Sequence, residues 1–340
     1  KMKTSGNTAR TAMDGQAFDD TLLAEIRSKM EYMESDPYTG KRIFLENAGG
    51  SLRLKTICDV LGPEVALPDN TGRQTAASAH VSEAIGKGNA DAGLFLGARS
   101  GRVFADQTTT RAIFRVVRAI AENVRGTNIV TTALEHPSIY DSTRWYAEQT
   151  GQEWRVAGLN KLTGGVDVES ILAKVDANTS LLAFIQASNV TGAVLDAEKI
   201  IREARKINPN LHVVVDGTQH APHACVDVEA LGCDAYFFAP YKILGKNGMS
   251  FGWISDRVSK LPHEHLFGKD PLPATGREVA VGVGQFDRDG GGFGAAGPLE
   301  PFLDPDDHRL EVRTGDVGSG AGFRSRRRAR SDRGCVPGVG

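Results

Sequence analysis

Cysteine is scarce and never closely paired. Cys58, Cys225, Cys233 and Cys335 include no CxxC spacing, so neither a zinc site nor a disulfide framework is indicated. No metal is expected, and a reducing, cytoplasmic setting is the default. Excess charge of one sign is missing too. The 40 Lys and Arg against 42 Asp and Glu leave a formal net charge of −2, which argues against nucleic acid or an anionic membrane as the main partner. No stretch approaches the roughly 18 uninterrupted apolar residues of a transmembrane helix. Lys1 to Asp14 lack an apolar h-region, so no signal peptide is expected. No strand candidate runs into GxGxxG, which disfavours a nicotinamide-dependent enzyme. What is present is ordinary. Apolar residues at 40% and charged residues at 24% of 340 suit a soluble globular chain with room for two domains and an enzyme-sized core.

From about residue 41 to 268 apolar strand candidates alternate with helical stretches. The strands read as Ile43–Leu45, Val103–Ala105, Asn128–Thr131, Leu181–Ile185, Val213–Val215, Ala235–Phe238 and Phe251–Ile254. Helical stretches lie over Thr110–Asn123, Ser138–Thr150 and Ala197–Lys206. Strands this apolar are buried on both faces, with the helices as cover. The pattern predicts an α/β fold with a mostly parallel sheet. Ligands in such sheets bind beyond the carboxyl ends of the strands, so chemistry is sought in the residues just after each strand.

Val213–Val215 deliver Asp216 at a strand end, followed by Gly217-Thr218-Gln219. An aspartate there can simply cap the next element. It can also hold a pyridine nitrogen protonated and make the ring an electron sink. Lys242 follows the Ala235–Phe238 strand and a short turn, and precedes glycines. A lysine is costly to bury unless paired or covalently engaged; the plain alternative is an exposed turn residue. The spacing of 26 residues between Asp216 and Lys242 leaves one strand–helix unit between them, so both reach the same rim of the sheet. A Schiff-base lysine needs such a partly desolvated place to lower its pKa.

The run from Asp216-Gly217-Thr218-Gln219-His220-Ala221-Pro222-His223 through Val226-Asp227-Val228 to Leu231-Gly232-Cys233-Asp234 and Lys242 resembles a signature of the class V (cysteine desulfurase-like) branch of the fold-type I pyridoxal-phosphate enzymes. The resemblance implies that Lys242 carries the cofactor as a Schiff base. It also implies that Asp216 binds the ring nitrogen and Gln219 the phenolic oxygen, while His223 and Asp227 are structural. Glu135-His136 is similar to the family's "EH" motif, which implies an imidazole stacked on the ring. Gln107-Thr108-Thr109-Thr110 opens a helix after the Val103 strand. Hydroxyls and free N–H groups at a helix N-terminus make a phosphate site, although threonine there can also be a simple cap. The resemblance places the cofactor phosphate at Thr108 and Thr109. Ser188-Asn189-Val190-Thr191-Gly192 resembles "SN-x-x-G", which puts Asn189 near the phenolic oxygen and the substrate. Leu45-Glu46-Asn47-Ala48-Gly49 resembles "LDNAA", so Ala48 and Gly49 border the substrate. The family often has Ser-x-His-Lys, where this chain has Ala239-Pro240-Tyr241-Lys242. Tyr241 is expected to offer its hydroxyl to the phosphate in their place; Ala239 has nothing to offer.

The resemblance therefore implies the large domain of that fold over residues 41–268, with a mostly parallel seven-stranded sheet, behind an N-terminal segment over residues 1–40. It implies pyridoxal 5'-phosphate as cofactor, an amino acid as substrate and a homodimer. Cysteine desulfuration or selenocysteine lysis, transamination and epimerisation all stay open. The competing reading is a non-catalytic, truncated cofactor-binding remnant.

Residues 269–340 differ in character. They are rich in Gly, Arg, Asp and Pro, with a basic run from Arg324 to Arg330, and their composition predicts disorder. Related desulfurases carry a nucleophilic cysteine and a carboxylate-binding arginine in a C-terminal domain; neither is recognisable here. Cys225 and Cys233 read as packing residues. Over Ala280 to Gly294, a one-base shift of frame permits Leu-Trp-Glu-Leu-Gly-Ser-Ser, similar to the family's "W-E-L-G" segment. The end of the chain is accordingly read as a frameshift product that replaces the small domain.

Overall fold

The apolar runs do become strands, and they do form a seven-stranded sheet, but one member differs from expectation. The computed structural model describes residues 18–68 and 70–262, all within a compact unit over Lys1–Val283. The expectations for residues 269–340, the shifted frame and Cys335 included, lie outside the described residues.

Ahead of the sheet come α1 (Asp20–Ser28), an antiparallel hairpin of β1 (Ser35–Asp36) and β2 (Gly40–Lys41), α2 (Lys55–Ala66) and α3 (Ala76–Phe95). There follow β3 (Arg102–Asp106), α4 (Thr109–Asn123), β4 (Asn128–Thr132), α5 (Pro137–Gln149), β5 (Glu153–Ala157) and α6 (Val168–Leu172). The remainder is β6 (Thr179–Ile185), α7 (Ala197–Ile207), β7 (His212–Asp216), α8 (Val228–Leu231), β8 (Ala235–Phe238), a 3-10 turn over Pro240–Lys242, β9 (Ser250–Ile254) and α9 (Asp256–Ser259). The sheet order is β3-β9-β8-β7-β6-β4-β5. β4, β5, β6, β7 and β8 pair in parallel, and β9 runs antiparallel to both β8 and β3.

The strand expected at Ile43–Leu45 is not one. Those residues are irregular, with Ile43 81% and Leu45 88% exposed. Three apolar residues in a row make a strand only where a neighbour can pair with them and cover them. The seventh strand is β5 instead. Glu153 and Arg155 disguise it, and it can carry them because it lies at the sheet's edge, paired among the described residues only with β4.

Alternation along the buried strands sends side chains to two cores, one on each face. Leu182, Phe184, Val213, Val215 and Tyr236 pack on one side with Ile171, Ile200, Ile201 and Ala204. Leu181, Ala183, Val214 and Phe237 pack on the other with Ile113, Val116, Val117, Ile120 and Ile139. Those α4 residues recur at helical spacing, and the Thr108 side chain caps that helix by accepting from the Arg111 N–H. Each buried Ile or Val contributes roughly 1.5–3 kcal/mol. No helix among the described residues is long and apolar enough to cross a membrane.

Because six strands point one way, the carboxyl ends of β3, β4, β6, β7 and β8 share one rim. Antiparallel β9 brings its beginning to that rim, with Ser250 paired to Asp106 and Phe251 to Phe238.

Candidate active site

A cleft of ≈ 810 Å³ opens on this rim. Every residue singled out from the sequence lines it: Ala48, Gly49, Thr108, Thr109, His136, Asn189, Asp216, Gln219, Tyr241 and Lys242. Arg42, Phe44, Arg53, Ser138, Thr218 and Asn247 line it as well and were not foreseen. Ser138 and Thr218 were detectable in principle, since each follows a predicted site residue by two positions. Arg42 and Arg53 lie on irregular chain, where no periodicity marks which way a side chain faces.

Asp216 is 2% exposed. Its Oδ1 accepts from the Thr218 N–H at 3.0 Å, and its Oδ2 accepts from the Ser138 hydroxyl at 3.3 Å. Ser138 Oγ also lies 2.8 Å from His136 Nδ1, which accepts from the Ser138 N–H at 3.2 Å. His136 thus caps α5 with its own ring, and the Ser138 hydroxyl stands between that ring and Asp216. Gly217 is required where it stands, because a Cβ there would overlap the buried Tyr236 phenol. The Tyr236 hydroxyl donates to Gln186 Oε1 at 2.8 Å and lies 3.5 Å from His220 Nδ1.

Lys242 ends the 3-10 turn after β8. Its ammonium donates to the Ala48 carbonyl, which also accepts from Gln219 Nε2 at 2.9 Å. The Nζ lies 4.9 Å from the Tyr241 ring centroid. Burial pushes the Lys242 amine below the ordinary lysine range, while Asp216 and Glu46 pull it back up. The turn is held from behind. Leu244 has a left-handed φ of 68°, its N–H donates to Ser51 Oγ at 2.8 Å, and its carbonyl accepts from the Leu54 N–H at 3.2 Å. The Tyr241 carbonyl accepts from the Ser51 N–H at 3.0 Å and from Ser51 Oγ at 2.8 Å. A positive φ at a non-glycine residue persists only where surroundings fix it, and here the opening segment does so.

Asp227 sits outside this constellation, as expected. It caps α8 and is paired with Arg99 at 3.0 Å. Cys58 and Cys225 are exposed, Cys233 is buried, and none of the three lines the cleft.

Glu135, next to His136, is enclosed. Its Oε1 accepts from Thr132 Oγ1 at 2.5 Å, and its Oε2 has no partner among the described residues. Burial raises its pKa well above the ordinary value of 4.5, with the Asp216 charge adding to the rise. An acid held above its unfolded pKa stabilises fully below about pH 4.5 and progressively less as pH climbs toward the folded value, at about 1.4 kcal/mol for each unit between the two. Glu135→Gln is therefore expected to match the parent near pH 4.5 and to become the more stable of the two as pH rises to 8. Paired thermal melts across that range check it; a constant difference would show that Glu135 ionises freely.

The rim of the mostly parallel sheet thus gathers a half-buried lysine, a buried carboxylate, an imidazole and a helix N-terminus in one cleft. The comparisons name the family. The Aminotransferase class-V family model matches residues 43–270, and the chain belongs to that family. A cysteine desulfurase of Yersinia pseudotuberculosis serotype O:1b (strain IP 31758) is 37% identical over 143 residues, covering 42% of this chain and 34% of that protein. One of Enterobacter sp. (strain 638) is 34% identical over 168 residues, covering 48% and 40%. The chain thus aligns with well under half the length of these curated relatives. Among solved structures, a cysteine desulfurase of Escherichia coli has a TM-score of 0.61 at 23% identity, covering 72% of this chain and 60% of that one. One of Thermococcus onnurineus NA1 has a TM-score of 0.62 at 20% identity, covering 69% and 57%. These likenesses show the fold.

Proposed function

We propose that this chain is a pyridoxal 5'-phosphate-dependent enzyme acting on an amino acid, of the class V aminotransferase and cysteine desulfurase kind. The observation that carries the reading is the convergence of Lys242 and Asp216, from adjacent strand ends, in one cleft with His136 and the N-terminus of α4. The residues fit the cofactor. Thr109 Oγ1 and Thr218 Oγ1 are buried without a partner among the described residues, although buried polar groups are almost always satisfied. Both threonines line the cleft. Oxygen acceptors of a bound phosphate and a substituted pyridine would supply what they lack.

When bound, the cofactor supplies an electron sink for charge developing at the substrate's α-carbon. Lys242 would hold it through its side-chain amine and would take or return a proton at the substrate's α-carbon. Asp216 would keep the ring nitrogen protonated. Ser138 lies between Asp216 and His136, and the His136 imidazole would pack against the cofactor ring. Thr108, Thr109 and the first turn of α4 take the phosphate, with the Tyr241 hydroxyl in reserve. Gln219 and Asn189 serve the phenolic oxygen, and Ala48, Gly49 and Asn189 border the substrate. Desulfuration, transamination and epimerisation share this first step.

The reading also takes the protein as a cytoplasmic homodimer. The exposed apolar side chains of Ile43, Leu45, Val60 and Val65 suit burial by a second copy.

The test is direct. The purified full chain with pyridoxal phosphate is expected to absorb near about 410–430 nm, and borohydride is expected to fix the cofactor to the peptide containing Lys242. Fixation at another lysine would move the site; no fixation at all would remove the cofactor from the account.

A further inference from the structure

The turn that carries Lys242 does not satisfy its own backbone. Within it, the Lys242 N–H donates to the Ala239 carbonyl at 3.0 Å, and the Ile243 and Gly245 N–H groups donate to the Pro240 carbonyl at 2.9 and 2.8 Å. That leaves the Tyr241 carbonyl on one side of the lysine and both Leu244 backbone groups on the other. Enclosed backbone groups need partners, and these find theirs on chain about 190 residues earlier.

Ser51 serves both sides at once. Its hydroxyl donates to the Tyr241 carbonyl at 2.8 Å and accepts from the Leu244 N–H at 2.8 Å, while its own N–H donates to the same Tyr241 carbonyl at 3.0 Å. A hydroxyl can do this because one oxygen both donates and accepts. Arg53 adds a further donor to the Tyr241 carbonyl at 3.3 Å and bonds Asn247 beyond the turn. This stretch is itself braced from behind. The Arg53 carbonyl accepts from the Glu31 N–H at 2.8 Å, and the Lys55 N–H donates to the Lys29 carbonyl at 2.9 Å. Ser51 therefore joins the turn to a fixed support.

Leu244 shows why the support matters. A leucine keeps a φ of 68° only under constraint. Without the Ser51 hydroxyl its N–H loses its partner, and the turn is free to relax. Lys242 lies two residues away, so the path of the turn decides how far the amine is desolvated. Asp216 at the end of β7 and Glu46 on the opening segment raise the amine's pKa against burial, and the Tyr241 ring centroid lies 4.9 Å from it.

We infer that Ser51 is a positioning residue for Lys242: its hydroxyl clasps the backbone on both sides of the lysine and so fixes where the amine stands in the cleft. Reacting groups held by rigid, hydrogen-bonded surroundings lose rate steeply when that support slackens. The inference deepens the proposed cofactor chemistry and rests on it for the predicted rate.

The test uses the full chain. Without added cofactor, labelling of Lys242 by an amine-reactive reagent is followed against pH by peptide mass spectrometry. Ser51→Ala is expected to move the labelling midpoint to higher pH, because the amine gains water. It is also expected to slow borohydride-trapped uptake of pyridoxal 5'-phosphate by about 10- to 100-fold, the scale of a misplaced reacting group. Ser51→Thr keeps the hydroxyl and should restore both. Adding Leu244→Gly to Ser51→Ala should bring the midpoint back toward the parent's, because glycine takes a positive φ without outside help. A purely structural loss would lower the melting temperature and leave the midpoint in place. An unmoved midpoint in folded Ser51→Ala, or a shift that neither Ser51→Thr nor Leu244→Gly reverses, would overturn the inference while leaving the cofactor reading intact. A moved midpoint in a chain whose parent never fixes pyridoxal phosphate would sink the cofactor and leave the hold of Ser51 on the lysine standing. If Ser51→Ala does not fold, Ser51→Cys, whose thiol donates and accepts only weakly, is expected to move the midpoint the same way, and an unmoved one decides against Ser51.

Discussion

Lys242→Ala is expected to abolish covalent fixation of pyridoxal phosphate and to cut exchange of the α-hydrogen of L-alanine by about 10³-fold or more. The size follows from what one amine is asked to do. It must be uncharged to bond the cofactor, and burial at the end of the 3-10 turn favours that form. It must then sit beside the substrate's α-carbon as a proton carrier, and among the described residues no other lysine lines the cleft. Alanine also deletes the hydrogen bond to the Ala48 carbonyl, so a fold defect has to be separated from a chemical one. Lys242→Arg serves as the control: it keeps the charge and a donor for that carbonyl but cannot take the amine's place. Both variants should lose fixation and exchange, while Lys242→Arg melts close to the parent. Proton NMR of L-alanine in D₂O and mass spectrometry after borohydride read the two losses. A variant that keeps a tenth of the parent's exchange rate would remove Lys242 from the chemistry.

What could be read from the sequence here, and what could not, follows from burial. β6 and β7 are buried at every position, so their apolar runs announce them whatever surrounds them. β5 does not announce itself, because an edge strand can carry Glu153 and Arg155 on one ladder. The Ile43–Leu45 run misleads for the converse reason: apolar residues without a pairing neighbour stay irregular. α3 is long but rich in Ala and Gly, and it buries only Ser78 and Ala92 among its 20 residues. Its apolar stripe is too faint to mark it. The cleft residues were legible because a parallel sheet collects strand ends on one rim, so order along the chain stands in for proximity in space. Arg42 and Arg53 escape that logic. They reach the cleft on a segment with no regular period, brought in by hydrogen bonds between Ser51, Leu54 and the turn after β8. Antiparallel β9 accounts for Asn247 in the same way, because its beginning, not its end, meets the rim.

Asp216→Asn is expected to slow the same hydrogen exchange by about 10²–10⁴-fold while weakening cofactor binding far less. Asparagine keeps the volume of a side chain that is 2% exposed, and its amide oxygen can still accept from the Thr218 N–H or the Ser138 hydroxyl. What it removes is the negative charge. With the cofactor bound, that charge would favour a protonated ring nitrogen, and the electron sink this supplies would matter most as the α-hydrogen leaves. The carboxylate is thus worth most when the charge develops, which is the condition for a rate effect larger than a binding effect. A second consequence needs no turnover. Asp216 raises the pKa of the Lys242 amine, so without it that amine should titrate at lower pH. Its labelling by an amine-reactive reagent in the cofactor-free chain should then begin at lower pH than in the parent. An unshifted labelling profile together with an unchanged exchange rate would leave Asp216 as the hydrogen-bond acceptor that its contacts with Thr218 and Ser138 already make it.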